Sequence, residues 1–300
     1  MPYETHHHPP YKPRSLVYVC PVDHEGNSVY VKGWISSNNP DLPIIIVHDL
    51  GESIDFYESF SHILAQQNFN VYGFDMRGQG QSNSKPGQIP SPEHLAKDLL
   101  QVVAWVRHTE KGRKPVIIGQ GLGALVTLFF AAHFQQYCQS LIFVSPLFAI
   151  NPQLSRWRRG LISTLAQFVP TLSTPKLLTP NMVFRIRKDL PKMHSSKVSL
   201  RFTEELLLSL ARARKSFNKI NIPTLLLCSV KDPICRFDHL KRLVQKHKHA
   251  DRFTLISTDG LCHHILTEDE GLLHEACDHI LPWIKQKQHK SPHGEEHKDS

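Results

Sequence analysis

Paired cysteines are missing from this chain. Its six cysteines, at positions 20, 138, 228, 235, 262 and 277, show no C-x-x-C pair and no metal-ligand spacing. That pattern points away from a disulfide framework or a structural zinc site, so reduced thiols filling the core are expected, with no metal and no cofactor. An apolar leader is missing too. Residues 1–14 are rich in proline and histidine, so a disordered tail and a cytoplasmic setting are expected. The triple His6, His7 and His8 is a polar tail with at most weak metal affinity. A second polar tail is expected over residues 287–300. The longest apolar run, Val116 to Phe134, nearly reaches membrane-spanning length. Gly119, Gln120, Gly121 and Gly123 break it, which favours a buried strand turning into a buried helix.

Acidic residues are scarce in one internal segment. Residues 147–217 hold 13 Lys and Arg against 3 Asp and Glu, while the rest of the chain holds 22 against 24. The whole basic excess therefore sits in one place. No nucleic-acid motif or aromatic stacking platform accompanies it, so no nucleic-acid partner is expected.

What is present is an alternation of apolar and amphipathic runs. Leu16–Val19 and Val29–Ile35 form an expected strand pair around Glu25, Gly26 and Asn27. Further strands are expected at Pro43–His48, Phe69–Asp75, Val116–Ile118, Ser140–Val144, Thr224–Cys228 and Phe253–Ser257. Helices are expected at Ile54–Gln67, Pro92–His108, from the turn after Ile118 to Phe134, and at Gly271–Ile284. Continuous apolar strands between helices imply an α/β fold, with a mostly parallel sheet covered on both faces. The segment 147–217 breaks this rhythm with Pro152, Pro170, Pro175, Pro180 and Pro191. It is expected to be a helical cap inserted between two core segments, 15–146 and 218–286.

Chemistry-bearing residues fall at strand ends, where such sheets place their ligands. His48, Asp49, Leu50, Gly51 and Glu52 follow one strand, and Asp75 to Ser82 follow the next. Gly119-Gln120-Gly121-Leu122-Gly123 has the glycine frame of a nucleophile elbow, Gly-x-Ser-x-Gly, without its serine. Asp232 and His263 follow the last two strands. Taken alone, Asp232 could be a plain turn residue and His263 an ordinary loop histidine, with His264 as its alternative. The chain order nucleophile position, acid, histidine gives them a shared meaning.

With these motifs the chain resembles the α/β-hydrolase family, in its monoacylglycerol lipase and lysophospholipase branch, over about residues 15–286. Ser145-Pro146-Leu147 and Glu268 add to the match. The resemblance implies that Asp232 orients His263, that His263 is general base and then acid, and that the backbone N–H groups of Leu50 and Leu122 form an oxyanion hole. Position 121 would be the nucleophile. Gly121 has no side chain to attack with, and losing a triad serine costs roughly a million-fold in turnover. Asp49 stands where the family has glycine, so its carboxylate would oppose a developing oxyanion, and the turn there would lose glycine's freedom. Glycine at 121 would also relieve the strain of the elbow, of order 1–3 kcal/mol. Neither Ser82 nor Ser145 lies on an elbow.

Three functions follow. The chain is expected to be a catalytically silent relative that binds an acyl lipid or another hydrophobic ligand. The alternatives are a weak esterase, in which Asp232 and His263 activate a water in the space of the missing hydroxymethyl group, and a protein that works through its surface alone. In the cap, Leu154, Trp157, Leu161, Leu165 and Phe168 recur at helical spacing among Arg156, Arg158 and Arg159. That helix either lies on an anionic membrane or packs over the pocket with solvated arginines, and both readings stay open.

Overall fold

A computed structural model describes residues 13–36, 40–84, 88–149, 155–174, 198–258, 263–267 and 270–288. The strands are β1 (Arg14–Pro21), β2 (Ser28–Ile35), β3 (Pro43–Val47), β4 (Asn70–Phe74), β5 (Val116–Gln120), β6 (Ser140–Val144), β7 (Thr224–Ser229) and β8 (Phe253–Thr258). They form one sheet in the order β1-β2-β4-β3-β5-β6-β7-β8. β1 and β2 are antiparallel, β2 meets β4 antiparallel, and every later pairing is parallel. β3 to β7 are buried along their whole length. This explains why they lack the alternation of half-exposed strands. The α/β-hydrolase fold expected from the sequence is the fold observed.

Helices cover both faces. α1 (Glu58–Gln66) follows a short 3-10 turn at Ile54–Tyr57, and α7 (Glu270–Gln288) closes the chain. These join the apolar cluster on one face, built on Trp34, Phe60, Phe69, Ile118 and Trp283. α2 (Pro92–Thr109) and α3 (Leu122–Phe134) belong to the other face. Ser91 caps α2 by accepting the His94 N–H at 3.2 Å, and Pro92 supplies the first turn. α3 is buried from Leu122 to Ala132, so its apolar character extends around the helix rather than along one stripe. α6 (Phe237–Gln245), between β7 and β8, had no counterpart in the sequence reading.

Between β6 and β7 lie α4 (Arg156–Phe168) and α5 (Leu200–Phe217), two unlike helices. α5 places Phe202, Leu206, Ala213 and Phe217 in the main core. α4 joins only a small cluster with Leu200, through Ile162 and Ala166. Leu154, also read as part of the α4 stripe, and most of the proline-rich remainder of the segment lie outside the described residues, as does Glu268. Ordered structure runs slightly past the expected tail limits. Arg14 pairs with Ile35 in the β1–β2 ladder, and Lys287 lies in α7 with its ammonium over the Trp283 ring. Among the described residues, no helix is long and apolar enough to cross a membrane.

Candidate active site

The elbow forms as its glycines dictate. Gly121 joins β5 to α3 with φ +54° and ψ −115°, a conformation that side chains rarely adopt. A Cβ on Gly123 would lie 2.1 Å from the Val47 carbonyl oxygen, and one on Gly119 would lie 2.6 Å from that of Gly123. Both flanking glycines are therefore demanded by the closeness of α3 to β3 and β5. Gln120 ties the elbow to the histidine loop, its side-chain oxygen accepting the Leu266 N–H at 3.0 Å.

The space above Gly121 is not empty. A Cβ added there would lie 2.0 Å from Asp49 Oδ1 and 2.1 Å from Asp49 Cγ. The Asp49 carboxylate thus fills the volume of the missing hydroxymethyl group. Its Oδ1 accepts two backbone hydrogen bonds, from Leu50 N–H and Leu122 N–H, each at 2.7 Å. These are the two groups expected to form the oxyanion hole. The sequence reading had Asp49 opposing an oxyanion from nearby. Instead its own carboxylate accepts both N–H groups, because paired backbone donors bind a carboxylate strongly. The turn also needs no glycine at 49, since the left-handed residue of this loop is Gly51, at φ +80°.

His48 anchors the loop. Its Nε2 accepts the Met76 N–H at 2.9 Å, so its Nδ1 donates to the Asp49 carbonyl at 2.7 Å. Glu52 braces it from below, accepting the Asp49 N–H and the Tyr57 hydroxyl through Oε2.

Asp232 and His263 meet in the folded chain. His263 Nδ1 lies 2.8 Å and 3.1 Å from the two carboxylate oxygens of Asp232. Asp232 is fixed in turn by the N–H groups of Ile234 and Cys235, each 2.8 Å from Oδ1. The other ring nitrogen, Nε2, meets Asp49 Oδ2 at 3.2 Å. His263 is therefore clamped between two carboxylates and buried with them. Burial opposes its charge, but the hydrogen bonds and charges of Asp232 and Asp49 win, raising its pKa to about 10. Burial likewise opposes ionisation of Asp49. The His263 hydrogen bond and charge, His264 and the Leu122 N–H outweigh it and hold this carboxyl below its ordinary range.

A second acid–histidine pair lies beside the first. His264 Nδ1 is 3.0 Å from Glu52 Oε1, which also accepts from Thr267 at 3.3 Å. Burial disfavours the His264 cation, yet the hydrogen bond and charge of Glu52, with Asp49, raise its pKa. The sequence reading held His264 only as a substitute for His263. The structure gives both a carboxylate partner, and the adjacency of two histidines six and seven residues before Glu270, the start of α7, was the available signal.

The remaining landmarks are structural. Arg77 bridges Asp98 of α2, at 2.5 Å, and Asp23, at 2.8 Å, tying its loop to both. Ser82 donates to the Asp75 carbonyl and accepts the Tyr30 N–H, away from any nucleophile role. Chemically, the site holds a histidine whose two ring nitrogens both face carboxylates, two backbone N–H groups that meet the Asp49 carboxylate, and no hydroxyl at the elbow. The water proposed for the weak-esterase alternative has no room where the hydroxymethyl group would be.

The chain has clear counterparts. Residues 38–270 match the family described as serine aminopeptidase, S33. Monoglyceride lipase of Mus musculus is 22% identical over 272 residues, 89% of each chain. A monoglyceride lipase homolog of Monkeypox virus is 24% identical over 273 residues, 88% of this chain and 97% of that one. The crystal structure of Paleococcus ferrophilus monoacylglycerol lipase is similar with a TM-score of 0.71 and 26% identity, over 86% of this chain and 99% of that one. A soluble variant of monoglyceride lipase from Saccharomyces cerevisiae, solved with a substrate analog, has a TM-score of 0.73 at 16% identity, over 95% and 98% of the two chains.

Proposed function

The chain belongs to the serine aminopeptidase S33 family of α/β-hydrolases, in its monoglyceride-lipase-like branch, and on that premise we propose that it is a catalytically silent member. It binds an acyl lipid or another hydrophobic ligand and does not turn over esters by the serine mechanism. One observation carries this reading: the Asp49 carboxylate sits where both the nucleophile and the oxyanion would be. Covalent acyl transfer needs a nucleophile, a base with a free lone pair and an open hole for the oxyanion. On this reading His263, its pKa raised between two carboxylates, keeps its proton, and the Asp49 carboxylate fills the hole from within. The names of the relatives supply the ligand class, since they act on or are named for monoacylglycerols.

The test combines two measurements on the wild-type chain. No labelling by a fluorophosphonate probe and no turnover of a short-chain nitrophenyl ester is expected, together with saturable binding of a fluorescent monoacylglycerol analogue. Clear turnover that disappears in His263→Ala would sink the silent reading in favour of water activation. Absence of both turnover and lipid binding would leave a protein that works through its surface alone.

A peripheral membrane contact is supported separately by α4. Trp157 and Phe168 on that helix are 61% and 77% exposed, and Leu161, Val169 and Leu172 add to the same apolar surface. Arg156, Arg158 and Arg159 lie in its first turn, where anionic headgroups would meet them. Binding to anionic liposomes that weakens with salt is expected. Equal binding by a variant with all three arginines changed to alanine would reject the contact.

A further inference from the structure

We propose that Cys228 and Cys235 form an oxidisable dithiol, which closes into a disulfide around the Asp232 loop and thereby regulates the Asp232–His263 pair. The two cysteines are seven positions apart, and nothing in their spacing marked them as partners. The fold brings their sulfurs to 3.2 Å, with Cys228 Sγ donating to Cys235 Sγ. A disulfide bond is about 2.05 Å, so the sulfurs need approach by only about 1 Å. Cys228 stands in β7, paired across to Ser257 of β8, and is fully buried. Cys235 is in the loop that follows, so the approach falls mainly on Cys235.

That movement bears on the site directly. The Cys235 N–H is one of the two backbone donors that hold Asp232 Oδ1. Asp232 in turn contacts His263 through both oxygens. The ring closed by the bond contains Asp232, so drawing Cys235 toward β7 loosens the carboxylate that supports His263. The consequence for the site rests on the proposed role of the Asp232–His263 pair; the bond itself does not. In the reduced protein the Cys228 hydrogen bond and burial, with the charge of Asp232, push the Cys235 thiol well above its ordinary pKa. The Cys235 thiol is therefore a poor nucleophile at rest, and its oxidation is slow unless the loop opens.

The chemistry balances with a peroxide as oxidant. The Cys235 sulfur attacks one peroxide oxygen, the O–O bond breaks, and a sulfenic acid and one water form. The Cys228 sulfur then attacks the sulfenic sulfur, the S–O bond breaks, and a second water leaves. Two thiols lose two electrons and two protons in all, and the peroxide is reduced to water. A metal is the competing occupant, because Cys228 Sγ, a carboxylate oxygen of Asp232 and Cys235 Sγ all lie within 4.8 Å of one another. The Asp232 carboxylate is already held by the Ile234 and Cys235 N–H groups and by His263, and the two sulfurs are in direct contact, which favours the disulfide.

The experiment treats the folded full chain with hydrogen peroxide, alkylates the remaining thiols under denaturing conditions and maps the peptides by mass. Cys228 and Cys235 should be lost together, as a linked peptide pair lighter by two hydrogens, and restored by dithiothreitol. The link should be absent in Cys235→Ser and, as a second variant with an undisturbed strand, in Cys235→Ala. Finding both cysteines still alkylated after Cys20, Cys138 or Cys277 has been oxidised would overturn the bond. So would irreversible sulfinic acids at these positions, or protection that EDTA removes, which would identify a metal site instead. The His263 imidazole resonance should move on oxidation and return on reduction. A bridge that leaves it unchanged would overturn the link to the site while leaving the ligand-binding proposal intact.

Discussion

The two halves of the site differ sharply. At the ends of β7 and β8, Asp232 and His263 keep the geometry of a working acid–base pair. At the ends of β3 and β5, Gly121 leaves room that the Asp49 carboxylate fills, and that carboxylate takes up the Leu50 and Leu122 N–H groups. The change on the second side is concerted. Glycine at 121 makes room for a carboxylate, and the carboxylate satisfies two backbone donors that would otherwise face an empty hole. The two halves are joined where His263 Nε2 meets Asp49. The two halves thus meet in one buried network of carboxylates and histidine.

The largest expected effect comes from reversing that exchange. Gly121→Ser alone should not restore ester cleavage, because its Cβ would collide with the Asp49 carboxylate. Gly121→Ser combined with Asp49→Gly clears the collision, opens the hole and frees His263. A triad nucleophile is worth roughly a million-fold, so even partial recovery should exceed the wild type by about a thousand-fold. Nitrophenyl ester turnover and fluorophosphonate labelling measure it. Full recovery in the single variant would show that Asp49 moves aside easily, and the contrast between the halves would collapse. Next in size is the network itself. Asp49→Asn removes one charge from a buried pair and should destabilise the fold by about 3–5 kcal/mol in urea unfolding. A loss under 1 kcal/mol would mean that Asp49 merely fills space.

The fold and the preserved half were readable from the chain because each relies on local pattern. β6 matches its expected bounds, Ser140–Val144, since a fully buried strand is a short apolar run between breaks. Asp232 and His263 were identified by their positions after apolar strands. The altered half was only partly legible. Gly121 stood out against its flanking glycines, and Asp49 stood out beside it. That the two fit each other depends on the β3 and β5 loops meeting in space, 72 residues apart along the chain. The Glu52–His264 pair escaped for the same reason, whereas the Cys228–Cys235 contact depends on how the loop after β7 folds back on the strand. The character of α5 was hidden by its segment, whose basic composition masked Phe202 and Phe217 in the core.

A smaller effect tests the charge state that joins the halves. His263 has its folded pKa raised to about 10, above the ordinary value of about 6.5. Its pairing therefore contributes stability fully below about pH 6.5, and the contribution fades as pH rises through about 10. Asp49 has the opposite sign. Its lowered pKa makes a contribution that is present above its ordinary range and lost as acid protonates it. Imidazole NMR should find His263 protonated at pH 8, and His263→Gln should flatten the alkaline decline in unfolding free energy. A neutral His263 at pH 8 would restore it as a candidate base.

The smallest effect isolates the second link between the halves. Glu52 belongs to the β3 loop and His264 to the β8 loop, and their 3.0 Å contact runs parallel to that of Asp49 with His263. His264 is slightly more exposed than His263, so solvent screens its pair more. Glu52 also keeps the Tyr57 hydroxyl and the Asp49 N–H when His264 is lost. His264→Gln should therefore cost about 1–2 kcal/mol, less than Asp49→Asn, and should leave the His263 resonance protonated at pH 8. If His264→Gln proved the costlier change, the halves would be joined chiefly through Glu52. Asp49 would then be a passive filler above Gly121 rather than the group that converts the family's catalytic pair into a structural one.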